Sequence, residues 1–238
     1  GWSMAGVDHD TSARSGYLNV SVRPSHRSRG IGTTLLERAL AHLEDSSRIQ
    51  TDSGEVGRSF AERHGFRHTH TRRVSGVDPR TVDTSELDST PTQIVSLREA
   101  GPEQVFAVDA ESVLDQPSDD AIDALEYEQW LHDYWEYPDL DLDVARAAVV
   151  DGQAVAITFV TLDHDSHRAL NSYTGTLRAY RGRGLARLTK LSVVRRLAEL
   201  NVALVLTEND ETNAPMLAIN DRLGYRPIES HYSYMLDR

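Results

Sequence analysis

Two short loops hold the residue types best suited to chemistry. Arg181-Gly182-Arg183-Gly184-Leu185-Ala186 opens a run of helical spacing that continues through Leu200, and Arg27-Ser28-Arg29-Gly30-Ile31-Gly32 opens another. Glycine lets the main chain approach an anion closely, and the first N–H groups of a helix have no partner within it. With Arg27, Arg29, Arg181 and Arg183 adding charge-assisted bonds, each loop reads as a cradle for a pyrophosphate. Neither is a Walker loop, because no Gly-Lys-Ser/Thr follows, and neither has the third glycine of a dinucleotide fingerprint.

Other candidates are spread along the chain. Glu208 follows the apolar run Val202–Leu206 and is the first candidate for a general base, with a loop or capping role standing beside it. Tyr232 and Tyr234 on the last strand are candidate proton donors or ordinary strand aromatics. His164 and His167 with Asp163 and Asp165 have metal-ligand types, but they fit a solvated hairpin tip better. His68 and His70 alternate on a strand with no carboxylate placed beside them. Lys190 is the one lysine in the sequence and carries no chemistry by itself.

The elements that must position these residues follow from periodicity. Gly1–Val7 reads as a short strand, Asp8–Ser15 as a turn, and Gly16–Val22 alternates as a half-buried strand that Pro24 ends. Leu35, Leu36, Ala39, Leu40 and Leu43 fall on one helical face. Gly57–His64 reads as a helix closed by Gly65, and a strand starts at Phe66. Ser75–Pro91 has linker composition. Gln93–Arg98 alternates, Pro102–Val113 and Asp119–Tyr134 read as helices, and Arg146–Val150 and Ala154–Leu162 flank an Asp-Gly turn. Leu170–Leu177 feeds the second loop, Asn201–Thr207 reads as a strand buried on both faces, Ala214–Leu223 as a helix, and Ser230–Leu236 as a final strand.

Composition bounds the function. The chain has 238 residues, 39% apolar and 26% charged, with no cysteine, which excludes disulfides, thiolate metal sites and a cysteine nucleophile. No apolar run approaches the ~18–20 residues that span a bilayer and no signal pattern opens the chain, so a cytoplasmic protein is expected. The net charge of −12 divides as +3, −17 and +2 over residues 1–80, 81–160 and 161–238. So acidic a middle argues against a nucleic-acid binder.

The order strand, Arg-rich glycine loop, amphipathic helix, short helix, Gly-aromatic occurs twice. Gly30 and Gly184 lie 154 residues apart, and the tail glycines Gly65 and Gly224 lie 159 apart. Arg181-x-x-Gly184-x-Ala186 and Arg27-x-x-Gly30-x-Gly32 resemble the acetyl-CoA pyrophosphate loop of the GNAT superfamily of N-acetyltransferases. Val22-x-Pro24 resembles the usual approach to that loop, and Asn213…Met216…Asn220…Leu223-Gly224-Tyr225 the family's later helix and terminal Gly-Phe/Tyr. The layout resembles the tandem acetyltransferases of the mycothiol-synthase kind.

The resemblance implies an α/β chain, with a mixed sheet, made of two tandem units: a partial one over 1–76 that lacks its first elements, a linker over 77–91, and a complete one over 92–238. It implies acetyl-CoA as co-substrate, no metal, and direct transfer to a small amine, in a monomer or homodimer with no nucleic-acid or membrane partner. Cofactor contacts would come from Leu177, Arg181, Gly182, Arg183, Gly184, Leu185, Ala186, Asn213 and Met216, and from Val22, Arg27, Arg29, Gly30, Ile31 and Gly32. Many relatives carry a general-acid Tyr four residues before the tail glycine; Asn220 and Ala61 stand there. That departure favours the C-terminal unit as the active one, with Glu208, Tyr232 and Asn220 as catalytic candidates. It also leaves a CoA-binding sensor as the alternative, beside transfer from another acyl-CoA. The acidic segment 102–142 would wall the acceptor pocket, where Tyr127, Trp130 and Tyr134 could hold a cationic amine or simply be core.

Overall fold

The computed structural model describes residues 1–7, 15–117 and 125–238. In chain order the strands and helices are β1 (Trp2–Val7), β2 (Gly16–Ser21), α1 (Ile31–His42), β3 (Arg48–Ser53), α2 (Arg58–Arg63) and β4 (Arg67–Val77), then β5 (Gln93–Ser96), α3 (Leu97–Ala100) and α4 (Pro102–Ser112). After these come α5 (Tyr127–Trp130, continued by a π-turn over Leu131–Trp135), β6 (Arg146–Val150), β7 (Gln153–Asp163), β8 (Arg168–Thr176), α6 (Leu185–Glu199), β9 (Leu204–Asp210), α7 (Ala214–Arg222) and β10 (Arg226–Asp237). The periodicity located the two loop-opened helices and every strand but β3 within a few residues; β4 runs on to Val77, into the stretch expected as linker. The helix read over Asp119–Tyr134 lies partly outside the described residues, as does most of the turn at Asp8–Ser15.

Two compact groupings emerge, and their boundaries differ from the sequence expectation. One holds Gly1–Arg72 together with Glu229–Arg238; the other holds Arg73–Pro117 and the chain from residue 125 to Ile228. The last strand therefore belongs with the first unit: Tyr232, Tyr234 and Leu236 of β10 pair antiparallel with Ser53, Thr51 and Ile49 of β3. The physical reason is in β3, which uses one edge for β2 and offers the other. Tyr234, wholly buried, fills that unit's core with Leu18, Leu36, Leu43, Ile49 and Phe66. The expected linker is also tied down. Asp88 pairs with Arg195 of α6 at 2.9 Å, Thr84 Oγ1 accepts from Arg195 Nε at 3.1 Å, and Glu86 pairs with Arg187.

In the second unit β5, β6, β7 and β8 run antiparallel in sequence, and β9 joins β8 parallel. Asp151 and Gly152, at φ 51° and 78°, make the hairpin turn between β6 and β7 that matches strand twist. α6 and α4 cover opposite faces. Thr158 of β7 bonds Thr189 of α6 at 2.8 Å, whereas its neighbour Phe159 meets Tyr173, whose hydroxyl bonds Ser112 of α4 at 2.7 Å. No helix among the described residues is long and apolar enough to cross a membrane.

Trp130 is buried in this core, 2% exposed, and its indole N–H donates to Asp109 Oδ2 at 2.7 Å. It is therefore a core residue and is withdrawn as an acceptor contact. Burial pushes the Asp109 carboxyl up to about 6, against the lowering effect of the indole bond. A carboxyl raised in the folded state stabilises fully below its unfolded pKa near 3.8, and that contribution is lost as pH rises through about 6. Asp109→Asn keeps an acceptor for the indole, so the variant should be more stable than the parent at pH 7 by about 3 kcal/mol, with the difference closing toward pH 4. Urea unfolding at several pH values measures this.

Candidate active site

The site forms where two parallel strands part. Arg168 to Asn171 of β8 pair with Leu204 to Thr207 of β9, one to one. Beyond those rungs no pairing continues, although β8 runs on to Thr176 and β9 to Asp210. A bulge lies at the same place. Phe159 of β7 faces Tyr173 while Val160 faces Asn171, so Ser172 is the extra residue. The bulge also breaks the alternation of β8: Asn171 and Thr174 turn toward α6 and Tyr173 toward α4.

From that point β8 leads into the glycine loop. Gly182 and Gly184 both have positive φ, 76° and 77°, and open space where a side chain would stand. α6 starts at Gly184 with no capping side chain and no acid in its first turn. A bare helix start flanked by two arginines lacks the anion that its dipole and free N–H groups favour, and a pyrophosphate fits it. The first arginine has a different task from the expected one. Arg181 Nε donates to Thr176 O at 3.1 Å and its other end pairs with Asp115 at 2.7 Å, closing the loop on itself. Arg178 grips the same carboxylate, and the two guanidiniums hold Asp115 well below the usual carboxylate range. Arg183 donates to Ala179 O at 3.0 Å and lies over the Tyr180 ring.

The other wall is β9 and α7. Asn213 caps α7 by accepting from Met216 N at 3.3 Å, which gives this predicted cofactor contact a helix-start role. Met216 is half-buried on the first turn, as is Glu208 on β9 just past its last rung with β8. Asn220 is 2% exposed; its Nδ2 donates to Asn209 Oδ1 at 2.7 Å while its Oδ1 is buried without a hydrogen-bond partner. An orphaned buried carbonyl costs roughly 1–3 kcal/mol, which a donor on a water or a ligand would offset; Thr176 Oγ1 is likewise buried without a partner. Of the other two aromatics, Tyr127 packs edge-on to Phe106, and Tyr134 is exposed.

The first unit repeats the cradle. β2 and β3 pair in parallel only at Gly16–Ile49 and Tyr17–Gln50 and then part. Arg27 Nε donates to Val22 O at 3.0 Å, the counterpart of Arg181 and Thr176. Ser28 and Gly30, at φ 58° and 77°, occupy the places of Gly182 and Gly184, and α1 likewise starts uncapped. Arg29 and Ile31 flank Gly30 in this loop, and Gly32 lies against the Phe60 ring. Tyr232 belongs here: its hydroxyl donates to Glu55 Oε2 at 2.7 Å and Arg58 covers its ring at 4.2 Å. Engaged in this way within the first unit, Tyr232 is withdrawn as the proton donor of the second. At the hairpin tip Asp163 accepts from Asp165 N, Ser166 N and Ser166 Oγ, and so its carboxylate shapes a turn.

Comparison with known proteins gives the class. Residues 1–68 match the model of the GNAT acetyltransferase domain. The chain is 25% identical to a mycothiol acetyltransferase of Nocardioides sp., over 91% of this chain and 79% of that protein. Among solved structures, a tandem GNAT protein from the clavulanic acid biosynthesis pathway is 21% identical with a TM-score of 0.73, covering 95% of this chain and 76% of that one. A GCN5-related N-acetyltransferase from Sphaerobacter thermophilus is 17% identical with a TM-score of 0.71, covering 99% and 76%. Residues 1–68 thus match a GNAT acetyltransferase domain, the chain as a whole is similar to proteins named as mycothiol acetyltransferases, and its mixed α/β fold is like that of a tandem GNAT protein.

Left-handed backbone at Gly184 and the open space above it yield a direct test. Gly184→Val should weaken acetyl-CoA binding at the second unit at least tenfold, because a β-branched residue resists positive φ and its methyls would stand over the helix N–H groups. Isothermal titration calorimetry of this variant beside Gly30→Val separates the two cradles.

Proposed function

We propose that the chain is an acetyl-CoA-dependent N-acetyltransferase acting on a small amine, with the second unit as the transferring one. The observation that carries this reading is the coincidence, in that unit, of the strand divergence, the bare α6 start and the orphaned Asn220 carbonyl. Acetyl-CoA supplies an activated acetyl thioester. The N–H groups of residues 182–186 hold the phosphates, and Asn220 Oδ1 accepts an N–H of the bound molecule. A main-chain N–H at the bulge of β8 polarises the thioester carbonyl.

Glu208 takes the proton of the acceptor ammonium, and the freed amine attacks the carbonyl carbon. The C–S bond then breaks, the nitrogen gives up its second proton to water, and the thiolate takes a proton from water, since Asn220 has none to give. Holding both reactants in the opening between β8 and β9 accounts for most of the rate enhancement, so few obligatory side chains are needed. The acids of 102–142 favour a cationic acceptor, and relatives named as mycothiol acetyltransferases support acetyl transfer. The matching loop at Arg27–Gly32 gives the first unit a second CoA cradle that supports folding or regulation rather than turnover.

The absence of cysteine makes the assay simple, because a thiol reagent sees only released CoA. Thiol release should appear with at least one small amine of a panel of polyamines, amino sugars and amino acids. Glu208→Gln should lower kcat at pH 7 by 10- to 100-fold with little change in the KM for acetyl-CoA. Binding of acetyl-CoA without release across the panel would identify a sensor instead.

A further inference from the structure

Lys190 is the one lysine of the chain, it lies in the middle of α6, and it is 1% exposed. Its ammonium donates to Asn171 Oδ1 and stands 5.4 Å from the centre of the buried Tyr225 ring. No carboxylate is paired with it among the described residues, and burial alone pushes it down to about 7. Such a group costs stability, and a well-packed apolar residue of similar volume is often neutral or better.

Asn171 is the hub of the bulge. Its Nδ2 donates to Phe159 O and to Tyr173 O, both at 3.1 Å, so the side-chain amide ties β7 to β8 on either side of the extra residue. Its own carbonyl accepts from Thr207 Oγ1 at 3.2 Å, on the last rung before β8 and β9 part. With Nδ2 committed, only Oδ1 remains, and Lys190 fixes it from the helix side. Both the charged and the neutral amine can donate that bond.

The first unit supplies an internal control. There β1 pairs with β2 from Trp2–Ser21 to Val7–Gly16 without a bulge. Counting back from the matched acceptors Val22 and Thr176, and allowing for the extra Ser172, the place of Asn171 is taken by Leu18. The place of Lys190, at the same distance from the loop, is taken by Leu36. Both leucines are 2% exposed in that unit's core. The same architecture therefore closes with an apolar pair, and bulge, amide and ammonium occur together only in the other copy.

We propose that Lys190 and Asn171 are positioning residues for acyl transfer: the ammonium locks the Asn171 amide, which holds the Ser172 bulge and so aims the main-chain N–H at the opening between β8 and β9. This rests on the reading of the second unit as the transferring one. The test is the double variant Asn171→Leu with Lys190→Leu, which copies the first unit, and Lys190→Met as a smaller change should the double variant fail to fold.

Lys190→Met should show a Tm equal to or above that of the parent, the double variant should remain folded at a lower Tm, and calorimetry should show acetyl-CoA affinity within about threefold for both. Hydrogen exchange over 170–176 should accelerate at least tenfold and kcat should fall at least tenfold. Unchanged exchange over 170–176 in a folded variant overturns the inference whether or not the parent turns over any amine. Unchanged kcat in an active background overturns it too, as does a loss of kcat matched by an equal loss of acetyl-CoA affinity and Tm, which would mark a merely structural role. A parent that neither binds acetyl-CoA nor releases thiol contradicts the function reading alone, and the exchange result still decides the positioning role.

Discussion

The ladder between β8 and β9 ends at Asn171 and Thr207, and what the second unit can do depends on that ending. Parallel strands hold together through evenly spaced main-chain bonds, so an opening in a sheet needs something to stop the ladder and satisfy the groups it frees. Here a one-residue bulge turns β8 away, and the Asn171 amide takes up carbonyls on both sides of it. The opening is thus built in, and it leads into a helix start with neither cap nor acid. Main chain and one amide define the place where a thioester could lie.

The two loops show how a duplicated element keeps its geometry while its surroundings diverge. Arg27 and Arg181 each reach back five residues to a carbonyl, and a left-handed glycine follows each at three residues. Their first duty is to shape the loop. The copies differ past the loop: Ala61 and Glu55 in one face the Tyr232 strand, while Asn213 and Asn220 in the other leave a buried carbonyl without a partner.

Much of this was legible in the sequence. Glycine at fixed distance from arginine, the change from period two to period 3.6, and offsets of 154 and 159 residues located both helix-opening glycine loops and nearly every strand. What could not be read were partners distant in the chain. Tyr232 alternates like a strand residue of either unit, and only its pairing with Ser53 assigns it to the first. Trp130 and Tyr134 have similar spacing and chemistry, but Asp109 draws one into the core. A bulge leaves no periodic mark in a strand of nine residues, and the sole lysine drew no weight because its neighbour Asn171 lies 19 residues away. The isolated lysine among so many arginines was the signal available.

The central claim is that acetyl-CoA lies in the opening between β8 and β9 and transfers its acetyl group there. A crystal structure with acetyl-CoA bound tests it most directly. The account predicts pyrophosphate oxygens on the N–H groups of residues 182–186 and the thioester carbonyl within about 3 Å of a main-chain N–H beside Ser172. Acetyl-CoA seated only on the Arg27–Gly32 loop, with the opening beside Ser172 empty, would contradict it.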